Sequence, residues 1–597
     1  MAFASIKTTT PASATNSTST PDLKYFRQHY PLTVANFGAL GDREAHLRRI
    51  WQTEMRWQET LDEQRRGAPE AVVHGAPPPG LAVEGEFEII YAGGTLGLLH
   101  AAVLAARFKR PVMVFDAGVF GRDDASSSSS SRRAWNISGE ELGGFERAGL
   151  FTKEEIEAAI VNRYRSAFVK FHDAASRVKT PPLWMEDVLN VAVDADKLLA
   201  LAAAKVRARQ GEGCALLEHV RFVRAYVEAD RVLVELEDVR AGGNSGGNAG
   251  GRRRLFAARL FIDAEGMQSP VARQFNEGRA LTHVAPSVGT VARGFARGEG
   301  ADRVDFNVGE ILVSTEDARD HRQLIWEGFA GARARDEYAT RLFFYDTIDS
   351  PADKSLLALF ERYFEELPRY KRAGAQWRVE RPLYGYAPGA NPRGWKARAQ
   401  TAEDRVMLVG EATGASSPLT LSGFGSSVRR LRRLTHLTDL ALAADLLDAR
   451  ALSEINAPAP RVAQMSGFAE FLRPAPQSEP ANVNETLNAV MAALHDLDVR
   501  VRHELFQDRM SFSALKSLLS RTAKLYPRIF QRVREHLGAR GTFWWLAGIA
   551  EAAFSERRAR VEAGGQLSSG ESAHAPAEEF ARYVALYKKD READASD

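Results

Sequence analysis

Apolar residues recur along this chain in two patterns, short uninterrupted runs and longer stretches with helical spacing. A run at 87–91 leads directly into glycines and an Ala/Leu-rich stretch at 98–108, and a second run follows at 111–115. Buried runs of this length on either side of a helix are typical of parallel strands in a βαβ unit. The pattern predicts an α/β fold with a doubly wound sheet that begins near residue 85.

Helical spacing dominates the two ends of the chain. Residues 22–66 place Phe26, Leu47 and Trp51 where a helix would bury them, and leucines from Leu431 onward recur at helical spacing. The region near 285–400 instead predicts a mostly antiparallel sheet. We therefore expect an α/β core with an inserted sheet, flanked by helical regions at both ends.

The composition limits the class of protein. The chain has 597 residues, a net charge of +2 and one cysteine. The near-neutral charge gives no electrostatic basis for binding nucleic acid, and no Cys/His spacing is typical of a zinc site. Apolar runs long enough to span a membrane are absent from the sequence, and residues 1–21 lack the apolar core of a secretory signal. We expect a cytoplasmic protein without nucleic-acid or metal partners.

A glycine-rich turn follows the first apolar run. In a βαβ unit such a turn brings the backbone close to a dinucleotide diphosphate, which binds the free N–H groups at the start of the next helix. Asp116 ends the second run about 20 residues later, where an acidic side chain hydrogen-bonds a ribose hydroxyl. The candidate dinucleotide-binding residues are Gly93, Gly94, Thr95, Leu96, Gly97 and Asp116. The alternative is a glycine-rich turn without a ligand.

A second strand-and-turn motif follows the apolar run at 260–262. Asp263, Gly266, Ser269 and Arg273 have the spacing of a segment that flavin hydroxylases place beside the diphosphate and ribose, and Glu265 replaces its usual Asp. Asp263 and Gly266 are therefore further candidate cofactor-binding residues.

A third motif begins with the run 405–409, which ends in Gly410 and Glu411. Flavoproteins have an Asp at the position of Glu411, where it holds the ribityl chain of FAD. Pro418, Gly423 and Gly425 then precede or open a helix, and glycines there would let the backbone approach the isoalloxazine. The dipole of that helix would stabilise negative charge on the reduced flavin.

The three motifs occur near residues 92, 265 and 411, in the order that a FAD-binding fold requires. They predict FAD on a Rossmann-like domain of the glutathione-reductase/hydroxylase type, assembled from separated stretches. The expected divisions are a disordered tail (1–21), a helical extension and linker (22–84), the FAD-binding core with inserts (85–284), a substrate-binding sheet (285–400), the last FAD-binding segment (401–430), a helical C-terminal region (431–560) and a charged tail (561–597).

Further segments resemble the Cru-type lycopene cyclase family. They are 135–138, 184–190, 309–315, 323–329 and 416–425, and the turn 93–97 is similar to the dinucleotide fingerprint of that family. The likeness spans roughly residues 22–540 and is specific in the series of motifs rather than in any one of them. The chain departs from the family pattern at two places. One is the serine run before Trp135, and the other is Glu411, where an Asp is usual.

The resemblance implies cyclisation of the ψ-ends of lycopene to β-rings, an isomerisation by an enzyme that binds reduced FAD. Proton donation to an alkene requires a carboxylic acid with a raised pKa in an apolar pocket. Glu327, a lone acid among large apolar residues, is the first candidate, and Glu186 or Asp187 is the second. The alternatives are an acid on the polar face of a strand for Glu327 and a helix-capping acid for the second pair.

Two other features concern a lipophilic polyene substrate. Trp326, Phe329, Phe343, Phe344 and Tyr345 are candidate lining residues of a tunnel, or ordinary core residues. Residues 542–549, with adjacent tryptophans and nearby arginines, are a candidate for docking on a membrane surface, or a buried helix.

Flavoproteins with other functions share these three motifs. The chain would then be a FAD-dependent monooxygenase or reductase acting on an isoprenoid or aromatic substrate, or a non-cyclising flavin-binding paralogue. The motifs alone do not separate these alternatives from a peripherally membrane-associated cyclase.

Overall fold

The described part of the chain forms two large sheets and a set of helices. The computed structural model describes residues 21–67, 71–75, 80, 82–121, 134–239, 251–266, 269–277, 281–331, 336–389, 400–413, 423–456, 470–474, 479–563 and 575–593. The helices are α1 (Leu23–His29), α2 (Pro31–Asn36), α3 (Arg43–Arg66), α4 (Leu96–Ala106), α5 (Gly139–Arg147), α6 (Lys153–Ala159), α7 (Ala195–Arg207), α8 (Pro270–Phe275), α9 (Leu356–Tyr370), α10 (Gly423–Ala443), α11 (Ala449–Asn456), α12 (Asn482–His495), α13 (Val499–Phe506), α14 (Phe512–Leu525), α15 (Ile529–Ala563) and α16 (Pro576–Ala593).

The strands are numbered in the same way along the chain. They are β1 (Val73–His74), β2 (Val83–Ala92), β3 (Val112–Asp116), β4 (Ala134–Ile137), β5 (Ile160–Arg163), β6 (Ser166–Lys170), β7 (Leu183–Met185), β8 (Val191–Asp194), β9 (Ala215–Glu218), β10 (Val220–Val227), β11 (Val232–Asp238), β12 (Arg253–Asp263), β13 (His283–Phe295), β14 (Val308–Val313), β15 (Ile325–Ala330), β16 (Tyr338–Phe343), β17 (Asp346–Thr347), β18 (Ala373–Gly389), β19 (Ala402–Glu403) and β20 (Val406–Leu408).

The first sheet contains the parallel core of the fold. β2 lies between β3 and β12, and β12 also pairs with β20, all in parallel register. β10 and β11 continue the sheet as antiparallel strands. The carboxyl-terminal parts of β2 and β12 are buried, as are β20 and most of β3, because other elements pack on both faces of the sheet. These parts therefore read as short apolar runs in the sequence.

Three segments distant in sequence meet at the carboxyl edge of this core. Ala92, at the end of β2, is in register with Asp263 of β12, which is in turn in register with Leu408 of β20. Backbone hydrogen bonds continue just beyond the strands, from the Ala264 N–H to the Ala92 carbonyl and from the Val409 N–H to the Asp263 carbonyl, each 2.9 Å. Open α/β sheets bind their ligands at this edge.

The second sheet has the order β17-β13-β16-β15-β14-β6-β7, with β18 paired to β13. One face packs against α9 and the N-terminal helices through a cluster that includes Trp326, Tyr363 and Phe37. The opposite face packs against the C-terminal helices through a cluster that includes Phe329, Phe343 and Leu515.

The expected fold class is confirmed, with one feature that the sequence reading missed. The predicted runs at 87–91 and 260–262 lie within β2 and β12, and the run at 111–115 overlaps β3. The inserted sheet, however, also takes β6 and β7 from the segment expected to belong to the FAD-binding core, and β6 pairs with β14 in parallel. Pairing between strands far apart in sequence leaves no local pattern. Among the described helices, none has the length and apolar character needed to cross a membrane.

Candidate functional site

The glycine turn after β2 is shaped by close backbone contacts. Gly93 has a φ of +100°, and a Cβ there would lie 2.9 Å from the Ala264 carbonyl oxygen. The Gly94 N–H donates a 2.6 Å hydrogen bond to the Asp116 Oδ2 atom. At Gly97 a Cβ would lie 3.2 Å from the Ala264 Cβ. The glycines therefore allow the turn, helix α4 and the β12 segment to approach one another, as in a dinucleotide-binding βαβ unit.

Helix α4 begins at Leu96 with its first N–H groups available. Its N-cap residue is Thr95, and no described side chain accepts a capping hydrogen bond there. Uncapped N–H groups and the positive end of the helix dipole form a site for an anion such as a dinucleotide diphosphate. The residues present thus fit the diphosphate that the sequence predicted at this turn.

Acidic side chains surround the edge of the sheet. Asp116 accepts hydrogen bonds from the Gly94 and Gly118 N–H groups, and the fully buried Asp263 accepts them from Ser269 and the Glu265 N–H. Burial raises the pKa of Asp263 to about 6. Glu265 keeps contact with solvent. Desolvation by the surrounding protein, followed by the charges of Asp263 and Asp116, raises the pKa of Glu265 to about 8.

The third motif reaches the same edge from β20. Gly410 has a φ of +62°, and a Cβ there would lie 2.6 Å from the Leu96 Cδ1 atom, so this turn packs directly on the start of α4. Glu411 follows in a short 3₁₀ turn and is exposed. Gly266, also a predicted cofactor residue, has a φ of +91° and open space around it. Pro418 lies outside the described residues.

The described part of helix α10 starts at Gly423, and Gly425 has an unexpected neighbour. A Cβ at Gly425 would collide with the carboxylate of Glu141. This carboxylate forms an ion pair with Arg429 and caps α5 by accepting from the Ser138 N–H. Gly425 therefore makes room for Glu141, and a contact of Gly425 with FAD stays a prediction.

A pocket opens between the start of α4 and the first described turns of α10. Its lining combines both helices with the third motif and α11, through Leu96, His100, Gly410, Thr413, Gly423, Ser426, Ser427, Arg430, Arg433, Leu434, Ile455 and Asn456. Burial lowers the pKa of His100 to about 4, so its imidazole is neutral near pH 7. Arg430 and Arg433 bring positive charge to the pocket.

Glu327 lies in the middle of β15, on the face of the second sheet opposite to α9. Ile325 and Phe329 flank it on this face, and both are buried. Its side chain is 12% exposed, and its Oε2 atom lies 3.8 Å from the Arg341 Nη1 atom, too far for a hydrogen bond. Burial raises the pKa of Glu327, and Arg341, which is paired with it across the strands, lowers it. Glu327 is therefore a largely buried carboxyl whose cation is distant, and its burial acts in favour of the protonated form.

The second pair of acid candidates has different surroundings. Glu186 and Asp187 are exposed in the turn between β7 and β8, and Asp187 has a φ of +57° and accepts a hydrogen bond from Asn190. The alternative of a helix-capping acid is wrong, because the turn leads into a strand. The buried setting that a proton donor to an alkene requires is found at Glu327 and not in this turn.

The predicted tunnel aromatics are all buried, but they lie on two faces of the second sheet. Trp326 and Phe344 pack in the cluster around α9, whereas Phe329, Phe343 and Tyr345 pack in the cluster around the C-terminal helices. Successive side chains of a strand point to opposite faces. The five residues therefore cannot line one cavity, and only the last three share the face of Glu327.

Glu310 on β14 is a second buried carboxyl, which the sequence reading did not single out. Its Oε1 atom lies 2.6 Å from the Lys371 Nζ atom, which also donates to the Ala301 and Arg303 carbonyls. Burial raises the pKa of Glu310, and Lys371 lowers it, as do the hydroxyls of Tyr370 and Tyr338. The sequence does show Glu310 as an acidic residue within an apolar run. Its partner Lys371 lies 61 residues away in the chain, so the ion pair leaves no local pattern.

Comparisons with known proteins agree with this architecture. No family model and no curated protein sequence matches the chain. Among solved structures it is similar to a geranylgeranyl bacteriochlorophyll reductase-like protein from Thermoplasma acidophilum, with a TM-score of 0.51 and 13% identity over 76% of this chain and 99% of that one.

Two other solved structures have TM-scores below 0.5. The halogenase PltM has a TM-score of 0.48 at 16% identity, over 85% of this chain and 97% of that one. The p-nitrophenol 4-monooxygenase from Pseudomonas putida has a TM-score of 0.46 at 14% identity, over 73% and 99%. At such identities, likeness extends to the fold and not to the activity. The chain thus has an α/β fold of the FAD-binding type, with an inserted sheet and a helical C-terminal region.

Proposed function

We propose that this chain is a FAD-dependent enzyme that cyclises the ends of lycopene to β-rings through proton donation by Glu327, without net redox change. The observation that carries the proposal is the position of Glu327, a largely buried carboxyl on an apolar face whose cation is distant, in a chain with a FAD-binding fold. The Cru-type segments supply the reaction class, and Glu327 lies in one of them.

The cofactor would lie at the carboxyl edge of the first sheet. The uncapped start of α4 would bind its diphosphate, Asp116 its ribose, and the Gly410–Glu411 turn its ribityl chain. Reduced FAD would supply negative charge that stabilises a cationic transition state electrostatically.

Glu327 would donate its proton to the terminal alkene of the polyene. Ring closure then forms one carbon–carbon bond, and loss of a ring proton to a base restores neutrality, so atoms and electrons balance. Ile325, Phe329 and Phe343 exclude water from the carboxyl, which keeps it protonated and makes proton donation to carbon more favourable. Arg341 limits how far the pKa of Glu327 is raised.

A long polyene dissolves in the bilayer, so the enzyme needs contact with a lipid surface. Helix α15 is kinked at Gly538. After the kink, its outer side carries Phe543 and Leu546, which are 63% and 54% exposed, while Trp545 and Ile549 pack inward. We propose that this outer side touches the membrane. The double variant Phe543→Ser/Leu546→Ser should float less with anionic vesicles than the wild type; equal flotation would contradict the proposed contact.

A reductase is the second candidate. The structural neighbour from Thermoplasma acidophilum is described as geranylgeranyl bacteriochlorophyll reductase-like, which also names an isoprenoid group. A reductase would add two hydrogens to its substrate, whereas a cyclase would leave its mass unchanged. A non-cyclising paralogue would bind flavin and leave lycopene unaltered.

The test is the pigment profile of a lycopene-accumulating bacterium that expresses the chain. We expect the wild type to convert lycopene to γ- or β-carotene of the same mass, Glu327→Gln to fail, and the exposed-turn variant Glu186→Gln to convert it normally. Products with added hydrogens would indicate the reductase. Unaltered lycopene beside FAD-loaded protein would contradict the cyclase proposal.

A further inference from the structure

Arg430 differs from the other arginines of α10 in its partners. Arg429 donates to Glu141 and to the Gln507 carbonyl, and Arg433 donates to the Glu454 carbonyl. Within the described residues, no group accepts a hydrogen bond from Arg430, and Asp508 is the anion whose charge acts on it. Burial lowers the pKa of Arg430. A half-buried cation without a hydrogen-bond acceptor is costly unless an anion completes its surroundings.

The pocket places Arg430 opposite the features that bind a dinucleotide. Leu96, at the uncapped start of α4, and Gly410, of the third motif, line the same pocket as Arg430. This arrangement combines a helix N-terminus with a half-buried guanidinium, which presents donors in a fork that matches phosphate oxygens.

The charges around the site indicate why such a cation would be needed. Asp116 and Asp263 lie close to Glu265 at the edge of the sheet, and their negative charges would oppose the approach of a diphosphate. His100 lines the pocket but is neutral near pH 7, because burial lowers its pKa to about 4. Positive charge in the pocket therefore comes from Arg430 and Arg433, and Arg433 already donates to a carbonyl.

We propose that Arg430 binds the diphosphate of the dinucleotide cofactor. This inference rests on the proposed FAD binding and adds a specific residue, on a helix that the flavin motifs assign to the isoalloxazine. It implies that Arg430 recognises the phosphates and makes no contact with the flavin ring.

The test compares flavins that differ in their phosphates. Apo-protein is titrated with FAD and with riboflavin, which has no phosphate, and binding is followed by quenching of flavin fluorescence. For Arg430→Gln we expect roughly tenfold or greater loss of FAD affinity, the usual effect of a charge-assisted hydrogen bond, and unchanged riboflavin affinity. Arg432→Gln, an exposed change on the same helix, should alter neither affinity.

Other outcomes would overturn the inference. Unchanged FAD affinity in Arg430→Gln overturns the diphosphate contact alone, and equal loss of FAD and riboflavin affinity shows a role in the ring site or in folding instead. If Arg430→Gln does not fold, Arg430→Lys replaces it, because lysine keeps the positive charge but lacks the forked donors. A lower ratio of FAD to riboflavin affinity than in the wild type then supports the diphosphate contact, and an unchanged ratio overturns it. A wild-type apo-protein that binds neither flavin overturns the proposed function together with this inference.

Discussion

Glu310 and Glu327 lie on neighbouring strands of one sheet, but their surroundings differ. Glu310 is in register with Gly328, the residue after Glu327, so the two carboxyls face opposite sides of the sheet. Glu310 has Lys371 at 2.6 Å and two tyrosine hydroxyls beside it, whereas the ion pair of Glu327 with Arg341 spans 3.8 Å. A carboxyl with a close cation holds elements together, and one whose cation is distant is available to hold and release a proton.

The position of each partner explains the difference. Lys371 follows directly after α9, so its ion pair with Glu310 fixes the end of that helix to β14. Arg341 on β16 lies directly across from Glu327 on one side and from Gly289 of β13 on the other. A Cβ at Gly289 would lie 3.1 Å from the Arg341 Cγ atom. The missing side chain at Gly289 leaves room for Arg341 on the same face as Glu327.

The largest expected effect comes from breaking the compensated pair. Lys371→Met leaves the Glu310 carboxyl buried without its cation, and we expect a loss of about 3–5 kcal/mol in the free energy of unfolding. Urea unfolding of the purified protein measures this loss. The double variant Glu310→Gln/Lys371→Met should recover part of it, because no uncompensated charge remains.

Glu327→Gln serves as the contrast to this change. It removes a carboxyl with only a distant partner, so we expect its free energy of unfolding to stay within about 1 kcal/mol of the wild type. If Lys371→Met and Glu327→Gln were equally destabilising, the distinction between a structural and a chemical carboxyl would be lost.

The second prediction concerns the pH dependence of the proposed cyclase reaction. A proton donor must be protonated, so the rate should fall as the pH rises through the pKa of Glu327. Arg341 lowers that pKa, so Arg341→Met should raise it and move the falling limb of the rate profile to higher pH. Arg341→Lys, which retains a cation, should keep the limb nearer its original position. A limb that does not move would exclude Glu327 as the titrating donor.

The third and smallest effect concerns Glu265, a carboxyl beside other carboxyls. It is neutral below its pKa of about 8 and negative above it, so the affinity for the FAD diphosphate should fall as the pH rises through that range. Glu265→Gln should bind FAD a few-fold more tightly than the wild type above pH 8 and equally below it. Fluorescence titration at several pH values measures both, and a parallel pH dependence in the two proteins would contradict the prediction.

The flavin motifs were predictable from sequence because each depends on neighbours along the chain. The run 87–91, its glycines and Asp116 form one local βαβ unit, and all of these elements are found in the structure. The setting of Glu327 was only partly predictable. The sequence showed an acid among apolar residues, but Glu310 fits the same description.

The sequence by itself determined the α/β fold class, the order of the three motifs and the strand that contains Glu327. Periodicity and glycine turns are local properties, so they can be read without the fold. The tertiary structure alone decided that Glu141 occupies the space at Gly425, that Trp326 and Phe344 face away from Glu327, and that Lys371 neutralises Glu310. These facts depend on which distant segments meet, because burial and pairing, rather than residue type, determine what a carboxyl can do.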